Sequence, residues 1–424
     1  MSIAASFLGG AKSRLLPPSV PFRFFGAAAV FHVAMWLGLL AADEPTSFRG
    51  GLGPTLAFVH LLTLGVLTTT AIGASVQLLP VATRRTLRAV WPVKLIFWLV
   101  APGLAALAWA MHTAQTRLLI LAAVMTTLGL LLFCALLADN LRRAASLPVV
   151  SAYGWAALAA LILVIALGVA LAFNVELGFL PDHGAAALAH LILGGFGFMG
   201  LLVLGFSHIL VPMFALAAAP AKRPSFAGFA AATAALLLGT GGALLDSQGL
   251  LTAAAFLALG AAALHLWLMH RTLKTGMRKR LGLSFVLVRA AWVMLPATII
   301  AGLAALYGLA GKNGPTLFGF LLLFGWLLTF LFAILQRIMP FLASMFVTPP
   351  ASGGTAIVAE LAGARSLKLH AACHGLALAV LTAAILLDNV AVARLGAAIG
   401  LAGALAFLFF TADVIRRILP ARKS

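Results

Sequence analysis

Apolar runs of about twenty residues recur along this chain from one end to the other, each long enough to cross a bilayer as a helix. Inside lipid only helices and closed barrels satisfy every backbone polar group. Barrel strands alternate apolar and polar residues, whereas these runs are continuous, so the chain is expected to be an all-α polytopic membrane protein. Composition agrees: of 424 residues, 63% are hydrophobic and 9% charged, against about 25% charged in an ordinary soluble domain.

Helical length and turn signals predict twelve helices, at about 23–42, 54–80, 90–111, 117–138, 151–174, 184–216, 225–245, 250–270, 282–310, 315–346, 367–387 and 392–415. The expected organisation is a lead over 1–22, a single membrane domain over 23–415, and a basic tail over 416–424. The longest loop, roughly 347–366, is too short for a soluble domain. The net charge of +19 is not a nucleic-acid signature, because its distribution follows the membrane. Twenty-two Lys and Arg fall in the termini and alternate loops, while Arg49, Arg117, Lys312 and Arg394 lie in the opposite loops. That is the positive-inside pattern, and it predicts both termini in the cytoplasm. The partner it implies is the lipid bilayer; no nucleic acid is expected. The two cysteines, Cys134 and Cys373, sit in apolar segments and define neither a disulfide framework nor a C-x-x-C-H haem-attachment motif.

Three of the apolar segments are versions of one another. His60 to Pro80 reads HLLTLGVLTTTAIGASVQLLP, His190 to Pro212 reads HLILGGFGFMGLLVLGFSHILVP, and Phe320 to Pro340 reads FLLLFGWLLTFLFAILQRIMP. Gly65, Gly195 and Gly325 fall five residues after His60, His190 and Phe320, which makes the period 130 residues. Gly-Pro-Thr-Leu precedes the first copy at Gly53 and the third at Gly314. A repeat of that length predicts that helices 2, 6 and 10 are equivalent.

Ionisable side chains in membrane helices are costly and usually face the bundle interior. His60 and His190 hold the same repeat position, about six residues or ~9 Å inside the outer edge. Neutral imidazole is the commonest metal ligand, so this depth-matched pair is the leading candidate for a metal or haem; interhelical hydrogen bonding is the structural alternative. His208 lies five turns beyond His190, about 27 Å along the same face. It aligns near Gln77, Gln336 and Arg337, a polar layer toward the cytoplasmic side. His370 and His374 share a face at i, i+4 spacing and are further candidate metal ligands, though too far along the membrane to join His60. His265 and His270 point about 140° apart and form no pair. His32 is a reserve ligand. Arg289 and Arg337 fall well inside expected helices with no obvious acidic partner, which suits a bound anion or a haem propionate.

A long second helix with a histidine near its outer end and a W/Q-x-x-P exit resembles the catalytic subunit of haem–copper oxidases and nitric oxide reductases. The resemblance covers helices 2, 6 and 10 and, through helix count, the pseudo-threefold arrangement of twelve. It implies that His60 holds the low-spin haem position and that His190 lies on the helix otherwise contributing a copper ligand. It further implies b-type haem, with copper as a second metal, an electron-donor protein or small gas as partner, and a bacterial inner membrane. The chain departs from that family: helix 6 lacks His-Pro-Glu-Val-Tyr, helix 7 lacks His-His, and helix 10 carries Phe320 and Leu321 where His-x-His would fall. A complete oxygen-reducing centre is therefore not expected. The chain is similar, secondly, to the NnrS family of twelve-helix bacterial haem proteins linked to nitric oxide. The alternative from the residues alone is a cofactor-free transporter or assembly factor working at Gln77, His208, Gln336 and Arg337.

Overall fold

The computed structural model describes residues 14–48, 50–144, 146–346 and 363–418. The expected features at Lys12, Arg49, most of the 347–366 loop and residues 419–424 lie outside that set. Within it are twelve helices long and apolar enough to span a membrane: α1 Ser19–Ala41, α2 Pro54–Ala82, α3 Trp91–Thr113, α4 Thr116–Arg142, α5 Pro148–Leu177, α6 His183–Ala215, α7 Lys222–Leu244, α8 Gln248–Thr275, α9 Leu283–Leu306, α10 Gly314–Ser344, α11 Ala364–Leu387 and α12 Val390–Ile418. No strand occurs among the described residues. The first helix starts at Ser19, a few residues earlier than expected, and the last takes in Arg416 and Arg417.

The 130-residue period is written into the backbone. Each repeated helix opens into an eight-residue π-helical stretch, at Leu61–Thr68 in α2, Leu193–Gly200 in α6 and Leu321–Leu328 in α10. Wider turns leave carbonyls for side chains five residues on. Thr69 Oγ1 donates to the Leu64 carbonyl and Thr329 Oγ1 to the Phe324 carbonyl, both at 2.9 Å. Local π turns of this kind are rare and occur mostly at functional sites.

These three helices are also the innermost. Their most apolar windows are 67%, 61% and 78% buried, against 22–50% for the other nine. The π stretches of α2 and α6 each touch that of α10. Around them the chain repeats one unit of four: a first helix (α1, α5, α9) against its inner helix, then a tight hairpin (α3–α4, α7–α8, α11–α12). Each hairpin packs on the first helix of the next unit, α4 on α5, α8 on α9 and α12 on α1, which closes the ring threefold. Three arcs result, each between two inner helices.

At one end of the bundle Asp388 joins three loops. It accepts from Thr46 Oγ1 at 2.9 Å and Asn313 Nδ2 at 3.0 Å, and pairs with Lys312 Nζ at 2.6 Å. The Lys312 hydrogen bond, then those of Thr46 and Asn313, hold its carboxyl at about 2. A carboxyl held below its unfolded value of about 3.9 contributes stability above that pH and loses it as pH falls through the folded value. Asp388→Asn is expected to lower the melting temperature at pH 7 and to flatten the loss of stability between about pH 4 and pH 2. Asparagine tolerates the positive φ of 51° at Asp388, so backbone strain does not confuse the result. Thermal unfolding followed across pH in detergent measures it; parallel profiles for both proteins would refute the assignment.

Candidate functional site

The arc enclosed by α2, α3, α4, α5 and α6 holds His60 and His190. His60 Nδ1 lies 2.9 Å from the Leu56 carbonyl. A carbonyl only accepts, so Nδ1 carries the proton and Nε2 keeps its lone pair, the arrangement typical of a metal-ligating histidine. One turn to either side, Leu56 and Leu64 pack with Leu107 and Met111 of α3, Leu119 and Ala122 of α4, and Ala172 of α5. His190 enters the same arc from α6. It packs against Gly168 of α5, where an added Cβ would stand 3.1 Å from its Cε1. Its Nδ1 is buried with no hydrogen bond of good geometry, although the Val164 backbone of α5 lies beside the ring. One turn from Gly168, Ala172 joins the cluster around Leu56 and Leu64, so His190 and the residues flanking His60 meet the same stretch of α5. One turn along from His190, an added Cβ at Gly194 would meet only Val164 Cγ2, at 3.9 Å.

The donor set therefore fits an imidazole-ligated metal or haem iron: one fixed lone pair, one orphaned buried nitrogen, and an apolar wall that excludes water. Leaving a buried polar atom unpaired costs about 1–3 kcal/mol. The arc facing α10, where the oxidase resemblance would seat a haem between α2 and α10, is filled instead. Phe320 stacks on Phe324 at 4.9 Å, and Trp36 meets Phe324 at 5.4 Å.

That aromatic arc, between α10 and α1, contains His370 and His374, joined by His32 of α1. The Trp36 indole donates to His32 Nε2 at 2.8 Å. The Thr329 hydroxyl gives its proton to Phe324 and so accepts from His374 Nε2 at 2.7 Å. Gln336 Nε2 faces His370 Nδ1 at 3.4 Å. Phe332 stands 4.6 Å from both the His32 and His370 rings. As bonded, His32 Nδ1 and His370 Nε2 carry protons and have no partners. The cluster offers protons and an intervening phenyl ring rather than converging lone pairs, which does not suit the chelation expected of His370 and His374.

The third arc, α6 to α10, holds a partly open cavity of about 310 Å³ with a predominantly apolar lining that includes Phe196, Leu236, Phe318 and Trp326. One turn beyond its lining residues Leu204 and Ala261 come His208 and His265, whose rings are 5.6 Å apart. Tyr153 of α5 lies 5.6 Å from the His208 ring. Spacing in the sequence pairs neither with His208. Depth was the available signal: α6 and α8 run in the same direction, and the two histidines lie about two and three turns from the matching helix ends.

The expected polar layer is not a shared site. Gln77 Oε1 accepts from the Leu16 amide at 3.2 Å, Gln336 faces His370, and His208 turns to His265. Arg337 requires no bound anion. Its Nε donates to Ser284 Oγ at 2.8 Å, a second nitrogen donates to the Leu281 carbonyl, and its guanidinium lies 5.6 Å from the Phe214 and Phe285 ring centres. Carbonyl and hydroxyl dipoles thus satisfy the cation, and the residue ties α10 to the start of α9. Arg337→Leu is expected to destabilise the fold by about 1–3 kcal/mol, the cost of stranding those acceptors; thermal unfolding checks it. Arg289 lies inside α9 as expected and is exposed there. His112, His183 and His270 are exposed.

Among the described residues no group of three or more His, Cys, Asp or Glu is arranged to hold a metal ion, so any metal here rests on paired imidazoles. The fold and these sites define an all-helical, twelve-span membrane protein with paired histidines in its interior. No protein-family model and no curated protein matches the chain.

Proposed function

We propose that this chain is a haem-binding membrane protein in which His60 and His190 hold the iron, and that it serves electron transfer or nitric oxide or oxygen chemistry. The observation that carries the reading is that α5 meets His190 at Gly168 and, one turn on at Ala172, meets the apolar cluster that flanks His60, a histidine 130 residues earlier in the sequence. His60 anchors its ring through Nδ1–H to Leu56 and presents Nε2. His190, held against Gly168, presents an unpartnered Nδ1. Leu56, Leu64, Leu107 and Met111 exclude water from the arc, and a low-dielectric pocket tunes the potential of any iron it holds. Bound haem would supply one-electron redox chemistry and an affinity for diatomic gases. The resemblance to haem–copper oxidases supports the same reading, with the iron on the α5–α6 side of α2 instead of the α10 side. The positive-inside distribution favours both termini in the cytoplasm of a bacterial inner membrane. Cofactor-free transport draws no support from Gln77, His208, Gln336 and Arg337, since these turn to separate neighbours.

The test is a visible spectrum with metal analysis of protein expressed with haem supplied and purified in detergent. A Soret band with stoichiometric iron is the expected result. A colourless, iron-free and monodisperse preparation would overturn the reading.

A further inference from the structure

We infer that His208 and His265 form a second, separate metal site that takes a single Cu(I) ion. His208 Nδ1 lies 2.9 Å from the Leu204 carbonyl, which fixes the proton there and leaves Nε2 as a lone-pair donor. That Nε2 is buried and has no partner. His265, 3% exposed, enters from α8 with its own Nδ1 buried and unpartnered. The ring centres are 5.6 Å apart. Two imidazole nitrogens sharing one ion at about 2 Å in a linear arrangement place their ring centres roughly 6 Å apart, so the rings need open by only about half an ångström.

The ring of His208 is held in place before any ion arrives. Tyr153 lies beside it at an interplanar angle of 32°. Tyr153 reaches that position because Gly205, three residues before His208, has no side chain: an added Cβ would stand 2.6 Å from Tyr153 Cβ. Packing that locks a donor's orientation is what a binding site requires.

The choice of ion follows from what the site lacks. No third His, Cys, Asp or Glu joins the pair among the described residues. Zinc takes four ligands, and calcium and magnesium take six or more oxygens. Imidazole suits copper, and Cu(I) alone among these ions is content with two neutral donors. Its single charge is also the least costly to bring into an interior without carboxylates. The His32, His370 and His374 cluster fails the same test, because the nitrogens it leaves free carry protons.

This site does not depend on haem at His60 and His190, and the experiment separates the two. The full chain in detergent is titrated with Cu(I) against a chromophoric Cu(I) chelator. The His60→Ala/His190→Ala double variant is expected to bind one Cu(I) per chain. In that background His208→Gln and His265→Gln are each expected to weaken binding at least about tenfold. X-ray absorption of the double variant, which needs no further substitution, is expected to show low-coordinate copper bound by imidazole nitrogen only. Absence of Cu(I) binding in the double variant, sulfur in the coordination shell, or unchanged affinity in both folded glutamine variants would each overturn the assignment.

Discussion

Replacing either His60 or His190 with alanine is expected to abolish haem uptake while the protein remains inserted and monodisperse. Neither side chain bonds another side chain across the bundle; the one tertiary polar contact is that of His190 with the Val164 backbone of α5. His60 bonds only its own helix, at Leu56, and His190 leaves Nδ1 unpaired. Removing an unpaired buried nitrogen relieves a cost of about 1–3 kcal/mol, so each variant should melt close to the wild type, less the packing lost with the ring. In the proposed site haem would lose one of two imidazoles, and the side chains that pack beside His60 are Leu, Ala and Met, which offer no replacement donor of that kind. Soret absorbance per chain is therefore expected to fall to background in both. His183→Ala supplies the control, since that ring is exposed and meets only Asn174. Unchanged haem content in either main variant would remove that residue from the site.

Gly400→Ala is expected to be the most damaging single-methyl change in the bundle. An added Cβ there would stand 2.4 Å from two ring atoms of Trp36 and 2.5 Å from a third. Trp36 is 1% exposed, packed against Phe324 and bonded to His32. A rigid indole with no free volume behind it cannot give way, so α12 and α1 must separate. Overpacking a core costs about 1–3 kcal/mol, and this position belongs at the upper end. The comparison is Gly375→Ala on α11, an exposed glycine where an added Cβ meets nothing within 4 Å. There the better helix propensity of alanine should stabilise by up to about 1 kcal/mol. Melting temperatures in detergent that move together, instead of in opposite directions, would show that the α1–α12 contact does not limit stability.

Helix number and the equivalence of α2, α6 and α10 are legible in the sequence. Each depends on local quantities: apolar run length, the distribution of arginine and lysine, and a fixed spacing between Gly65, Gly195 and Gly325. The π-helical stretches were not legible. They arise when the i−4 bond is given up along a whole segment, and LLTLGVLT, LGGFGFMG and LLLFGWLL share no signal for that beyond the central glycine. His60 and His190 could be matched because duplication places them at one depth. His208 and His265 could not, because one lies on an inner helix and the other on an outer hairpin, with no common repeat position.

The amino-acid sequence by itself determined that this is a twelve-helix membrane protein built on a threefold repeat, since the bilayer leaves so apolar a chain no other way to satisfy its backbone. Tertiary structure alone decided the azimuth of each helix. A rotation of a few tens of degrees, set by contacts such as Trp36 over Gly400 and Tyr153 over Gly205, leaves hydropathy and depth unchanged. That rotation set His190 against Gly168, His208 toward His265, and Arg337 toward a carbonyl in place of an anion.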